Sequence, residues 1–290
     1  MSKMDEDPFP PQSVDLSKPS VARVYDFYLG GKANWAIDRG FGQSVLDEYP
    51  VLRPIAISNR LFLHRAVRRL VAHGVRQFID IGSGVPTMGN THSIADELDL
   101  DSRVVYVDNE PVAVAHSQML LEKHGDPDRH AAINADFRNP NKLWQRAIET
   151  GVLDMDEPIA VLLIAVLHVQ QPGPDGVDIS PTVMKRYREL LSPGSYLAIS
   201  HLTDDGLPPG MEENLAGIKR MYDASSSPVI WRTRDEIRDL FGDFELMDPG
   251  MAWTWEWHPE DYSPNHSRKL KFSEPAQSSI WAGVARRPGA

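Results

Sequence analysis

The sequence predicts an α/β domain built on a mainly parallel sheet, and three observations carry that prediction. Short apolar runs of strand length alternate five times with stretches whose apolar residues recur at helical spacing, the pattern of strands joined by crossover helices. The longest run, Pro158 to Val169 (PIAVLLIAVLHV), is almost uninterrupted, as a central strand buried on both faces should be. The first run, Phe78, Ile79 and Ile81, leads directly into Gly82 and Gly84 and then a helix-compatible segment from Asn90, the strand–turn–helix entry to a nucleotide-type site. The chain's 290 residues, 41% hydrophobic, suffice for a large core without staples. The absence of cysteine excludes disulfides, thiolate metal sites and a cysteine nucleophile.

Residues 1 to 19 are acidic and proline-rich, expected to be disordered, and have no apolar signal region. Residues 20–53 change composition abruptly, crowding Tyr25, Phe27, Tyr28, Trp35 and Phe41 with Arg23, Asp26, Lys32, Asn34 and Asp38. Val21, Val24, Tyr25 and Tyr28 fall at helical spacing, and Gly30–Gly31 ends that helix. Gly-Gly-Lys lacks phosphate-loop spacing, since Asp26 stands at the first glycine position and Ala33 follows the lysine. The segment is either a helix packed on the domain edge or a lid over a ligand.

From residue 54 onward a main domain is expected. Pro54 to His73 is a long amphipathic helix with Leu63, Ala66, Val67 and Leu70 as its core stripe. Arg60, Arg65, Arg68, Arg69 and Arg76 are expected on a solvated face. Strands follow at Phe78–Ile81, Arg103–Asp108, Ala131–Phe137, Pro158–Val169 and Tyr196–Ser200, with helices between them. Ser180–Pro181 opens the helix that ends at Leu191. Residues 202–228 read as an insertion. Thr233 and Glu236 make a capping box for a helix over Arg234–Phe241. A sixth strand is expected at Phe244–Met247 and a last one at Ser279–Ala285. Trp253, Trp255 and Trp257 alternate, so they should share one face of an extended segment, covering core or forming a substrate wall.

Candidate site residues cluster at the carboxyl ends of predicted strands. Gly82 and Gly84 form a turn that a ligand can approach closely, and Asp80 sits near the end of the strand before it. Asp108 lies about 26 residues beyond Gly82, where nucleotide folds place a ribose-binding acid. Alternatively, Asp108 or Asn109 caps the next helix. Asp136–Phe137 suits an adenine, the acid accepting from the amino group and the aromatic covering the ring, or is a surface turn leading to Asn139–Pro140. Ala165 and His168 close the fourth strand.

In order, Asp80-Ile-Gly82-Ser-Gly84, Asp108, Asp136–Phe137, Ala165-Val-Leu-His168 and Leu191-Ser-Pro-Gly194 resemble the motifs of class I S-adenosylmethionine-dependent methyltransferases. The phrases ARVYDFYLGGKANWAIDR, RQFIDIGSGVPTMGNTHSIA and YVDNEPVAVAHS are similar to an actinobacterial family of S-adenosyl methyltransferases, formerly a domain of unknown function. The resemblance covers nearly all of the chain beyond residue 19. It implies a Rossmann-like, seven-stranded, mostly parallel sheet with helices on both faces and an antiparallel last strand. It implies that S-adenosyl-L-methionine binds at Gly82, Gly84, Asp108 and Asp136, beneath an amino-terminal cover holding Arg23, Tyr25 and Asn34. Pro86 replaces the third glycine of the extended motif, and the resemblance supplies no acceptor.

Methyl transfer from a sulfonium is an in-line displacement, in which the protein positions the acceptor and excludes water. His168 is the candidate base, with a structural role as its alternative, and His201 is second. The ten histidines show no metal-ligand spacing. A net charge of -11 argues against a nucleic-acid partner, and no apolar run reaches membrane length, so a cytoplasmic enzyme with a small-molecule acceptor is expected. A non-catalytic sensor of the cofactor and a nicotinamide-dependent oxidoreductase are the alternatives. Oligomeric state is not legible.

Overall fold

The computed structural model describes residues 16–86, 89–225, 227–261 and 272–289, so most of the expected disordered arm lies outside the described residues. Helices α1 (Val21–Tyr28), α2 (Ala36–Glu48) and α3 (Leu52–Ala72) lead into a regular alternation. It runs β1 (Gln77–Ile81), α4 (Thr91–Asp96), β2 (Arg103–Asp108), α5 (Pro111–His124), β3 (His130–Asn134), α6 (Pro140–Glu149), β4 (Ile159–Ile164), α7 (Ser180–Leu190) and β5 (Tyr196–Leu202). Helices α8 (Met211–Asp223) and α9 (Arg234–Asp239) precede the edge strands β6 (Glu245–Leu246), β7 (Ala252–Trp253) and β8 (Ile280–Arg286).

The sheet order is β3-β2-β1-β4-β5-β8-β6, with β7 also paired to β8. Strands β1 to β5 are parallel, and β8 runs antiparallel to β5. The strand period of two sorts the core. Ile79, Ile81, Val105, Val107, Val161 and Leu163 face α6 and α7. Phe78, Val104, Tyr106, Ala160 and Leu162 face α3. Order reverses between β1 and β4, so ligands belong outside the carboxyl ends of these strands.

Among the described residues the sheet has eight strands, not seven. The expected sixth strand shrinks to Glu245–Leu246 because the chain turns at Pro249 and Gly250, where φ is +85°. Its continuation, β7, returns to β8, opposite Ala282 and Trp281. The tryptophans therefore do not share an extended face. A turn follows Trp253, and the Trp257 N–H donates to the Trp253 carbonyl, as in one turn of helix.

The expected solvated arginine face is also corrected. Residues 58–67 of α3 are all buried, because α3 packs on the sheet with one side and on α1 and α4 with others. Arg60 is 8% exposed and Arg65 is 1% exposed, whereas Arg76 is open to solvent. Arg65 donates to the carbonyls of Trp257 and Thr254, which fastens the post-β7 turn to α3.

A third apolar cluster joins Val24, Tyr28, Val45 and Leu46 of α1 and α2 to Leu215, Ile218 and Tyr222 of α8. The amino-terminal segment and the insertion after β5 are thus packed on each other.

Candidate functional site

The carboxyl ends of β1, β2, β4 and β5 open into a cavity of about 520 Å³, roofed by α1, α3 and α8. Its size is that of a small-molecule site. Gly82, Gly84, Asp80, Asp108, Asn109, Phe137, Ala165, His168, Arg23 and Tyr25 all line it. Asn34 and Asp136 are not among the lining residues.

The glycine turn is held from below. Gly82 and Ser83 donate to the Val107 carbonyl, and the Gly84 N–H donates to Asp108 Oδ2 at 2.8 Å. The Glu110 N–H donates to Asp108 Oδ1 at 2.8 Å. Asp108 therefore ties the turn to the start of α5 while bordering the cavity, so its two expected roles are compatible in space. Burial pushes its pKa up, against the amides of Glu110 and Gly84. Gly82 has φ +66°, and a Cβ there would stand 2.5 Å from Val166 Cγ2. Gly84 has φ +64° with open space where its Cβ would point.

Ala165, with φ +63°, is bent into a conformation that side chains rarely adopt. Its N–H reaches Ser200 Oγ at 3.0 Å, Ser200 Oγ donates to Asn59 Oδ1, and the Asn59 amide donates to the Tyr25 hydroxyl. That hydroxyl donates to the Ala56 carbonyl. The relay couples the end of β4 to β5, α3 and α1, so the strained residue is fixed by three neighbouring elements.

The amino-terminal segment is fastened through charge. Arg23 pairs with Asp38 at 2.8 Å and with Glu110 at 3.0 Å, which anchors α1 to the end of β2. Asn34 serves the turn after α1, donating to Asp26 Oδ2 and to the Gly31 carbonyl. Asp136 is paired with Arg138 at 2.7 Å, and its neighbours Ala135, Phe137 and Arg138 form the wall.

Asp80 accepts from the Thr91 hydroxyl at 2.6 Å. Burial pushes its pKa up to about 6, opposed by that hydroxyl and by Arg60. Because the folded value exceeds the unfolded one, this contribution favours the fold below about pH 4 and is lost as pH rises through about 6. Asp80→Asn is expected to be more stable than the parent at pH 8, by on the order of 2–3 kcal/mol, with the difference gone at pH 4. Urea unfolding at both pH values measures it, and a difference independent of pH would refute the assignment.

The two histidines are poor bases. His168 Nδ1 accepts from the Leu202 N–H at 3.4 Å, and burial, then Arg232, lowers its pKa to about 3. The neutral ring then carries its proton on Nε2 and acts as a donor. Nitrogen-15 NMR should show His168 as this tautomer with no titration between pH 5 and 9; a midpoint near 6.5 would contradict it. His201 is more tightly bound, with Nδ1 bonded to the Leu202 carbonyl and Nε2 to Arg232.

Several cavity residues escaped the sequence reading. Asn59 and Arg60 sit inside a helix, and Tyr222 and Trp231 lie in and beyond the insertion, where no motif marks them. Arg60 makes no hydrogen bond or ion pair with any described residue, although it is buried and borders the cavity.

One protein family matches nearly the whole chain. Its description is S-adenosyl methyltransferase, and its pattern matches residues 8–288. The chain belongs to that family. Among solved structures, this chain is similar to a Thermobifida fusca YX protein crystallised as a candidate methyltransferase, with 36% identity and a TM-score of 0.82. That match covers 97% of this chain and 99% of the other. A DUF574 family protein from Streptomyces avermitilis MA-4680 is 32% identical, with a TM-score of 0.81, over 93% of this chain and 98% of that one. An O-methyltransferase family protein from Burkholderia thailandensis shares the fold alone, at 12% identity and a TM-score of 0.51, over 82% of this chain and 60% of that one. No curated protein matches the chain.

Proposed function

We propose that this chain transfers a methyl group from S-adenosyl-L-methionine to a small-molecule acceptor. The observation that carries this reading is Arg60, a buried guanidinium that hydrogen-bonds to no described residue and acts only at a distance on the Asp80 carboxyl, bordering the same cavity as Gly82, Gly84 and Asp108. Buried guanidinium donors left without acceptors are costly and call for an anion. The α-carboxylate of the cofactor's methionine end is such an anion. The open space at Gly84 leaves backbone exposed for close approach, Asp108 retains lone pairs for ribose hydroxyls, and Phe137 offers a ring face to adenine.

The cofactor, when bound, supplies an activated methyl on sulfur. The chain's own residues do the rest. Asp108 and the glycine turn fix the nucleoside end, and Arg60 fixes the amino-acid end. Arg23 and its partners hold the cover that keeps water out. His168 orients rather than deprotonates, so the acceptor arrives as an intrinsically competent nucleophile. The acidic chain, with net charge -11, supports a small molecule over a nucleic acid. Among the described residues no helix is long and apolar enough to cross a membrane.

The weak basicity of His168 also favours the sensor reading, in which the cofactor binds without turnover. A nicotinamide reading finds no support in the family description. The test is release of S-adenosylhomocysteine from S-adenosylmethionine when a dialysable cell extract is added. Release with the dialysable fraction supports a small-molecule methyltransferase. Release only with the retained macromolecules would transfer the reading to a protein or nucleic-acid acceptor.

A further inference from the structure

The cavity is chemically divided. Its charged lining residues are Arg60, Asp80, Asp108, Glu110 and Arg138, on α3 and at or beyond the carboxyl ends of β1, β2 and β3, and Lys18 and Arg23, in the amino-terminal cover. The remaining wall, where α1, α3 and α8 meet, is built from Tyr28, Leu52, Ile55, Ile218, Tyr222 and Val229, with no charge among them. An ammonium, a carboxylate or a phosphate would lose its hydration there without compensation.

The polar groups of that wall have a definite character. The Tyr28 and Tyr222 hydroxyls bond each other at 3.0 Å. Two hydroxyls in one bond use one proton, so the pair keeps one donor to spare. Burial pushes both pKa values up, so both stay protonated at neutral pH. Trp231, which also lines the cavity, has a buried indole Nε1–H with no hydrogen-bond partner among the described residues. A buried indole N–H normally finds a partner. This wall therefore offers flat apolar surface and two hydrogen-bond donors awaiting acceptors.

We infer that this wall is the acceptor site, and that it takes a flat, uncharged aromatic molecule whose oxygen accepts the Trp231 indole N–H. The inference rests on the methyltransferase reading and adds the substrate class. The aromatic rings of Tyr28, Tyr222 and Trp231 give such a molecule face and edge contacts, and an aromatic carbonyl or ether oxygen satisfies the indole. An aromatic hydroxyl elsewhere on the molecule, facing the cofactor, gives up its proton to solvent, and its oxygen bonds the methyl carbon as the methyl–sulfur bond breaks and S-adenosylhomocysteine leaves, so no basic histidine is needed.

The experiment uses the full chain and two consecutive calorimetric titrations. S-adenosylhomocysteine is titrated first; its failure to bind would remove the cofactor reading and this inference with it. The saturated protein then receives three probes separately: flavone, xanthone, and spermidine as a charged control. Binding of flavone or xanthone but not of spermidine is expected. Trp231→Phe, which keeps an aromatic ring and removes the donor, should weaken the aromatic ketone about tenfold and leave S-adenosylhomocysteine unchanged. Ile218→Trp, which fills the wall, should abolish ketone binding, again with S-adenosylhomocysteine unchanged. The inference is overturned if neither ketone binds the saturated protein, if spermidine binds in their place, or if ketone affinity is indifferent to both substitutions.

Discussion

Arg60→Met is expected to weaken S-adenosylhomocysteine binding by about 1.5–3 kcal/mol, roughly 10- to 150-fold, while leaving 5′-methylthioadenosine binding unchanged. The two ligands share the nucleoside, but only the first carries the amino-acid end with its carboxylate. If Arg60 holds that carboxylate, the loss appears for one ligand alone. Methionine preserves the apolar stem of Arg60, and because the substitution also removes the charge that favours ionised Asp80, both titrations are made at a temperature where the variant is shown to be folded. Equal losses for both ligands would mean that the substitution distorts the cavity. No loss for either would mean that Arg60 faces something other than the cofactor.

Gly82→Ala is expected to destabilise the protein by about 2–5 kcal/mol and to abolish cofactor binding. Two independent penalties add. A φ of +66° costs a residue with a Cβ about 1–2 kcal/mol. The new Cβ also meets Val166 Cγ2 at 2.5 Å, an overpacking that costs about 1–3 kcal/mol or forces the loop after β4 away. Val166→Ala in the same chain should recover the steric part and leave the backbone part. Urea unfolding of the parent, both single variants and the double variant separates the two terms. A single variant as stable as the parent would show that the turn is not held as described.

The fold was legible because its signals are local. The apolar run at Ile159–Ile164 is long enough to need burial on both faces, and Asp80-Ile-Gly82-Ser-Gly84 follows a strand whose direction fixes where the site lies. The eighth strand was not legible, since Ala252–Trp253 pairs only because the turn at Pro249–Gly250 carries it back to β8. The arginines of α3 illustrate the same limit. Helical spacing says which residues share a face, but not how many faces are covered. Arg65 is buried under the turn after β7, whose carbonyls it binds, and Arg60 beside the cavity that α1 roofs. That Gly82, Gly84 and Asp108 border one cavity could be read from the sequence because each marks a strand end. Trp231 and the Tyr28–Tyr222 pair come from segments 194 residues apart in the case of the tyrosines, and nothing local announces their meeting. Asp136, expected with Phe137 at an adenine, stands between two residues of the cavity wall and pairs with Arg138, two residues on, a partner its sequence position does not announce.

The central claim is that the cavity at the ends of β1, β2 and β4 is a site for S-adenosylmethionine. Calorimetric titration of S-adenosylhomocysteine and, separately, of NAD into the full chain tests it most directly. Saturable binding of S-adenosylhomocysteine at one site per chain, with no heat from NAD, is the predicted result. Folded protein that ignores S-adenosylhomocysteine, or that binds NAD in its place, would contradict the account.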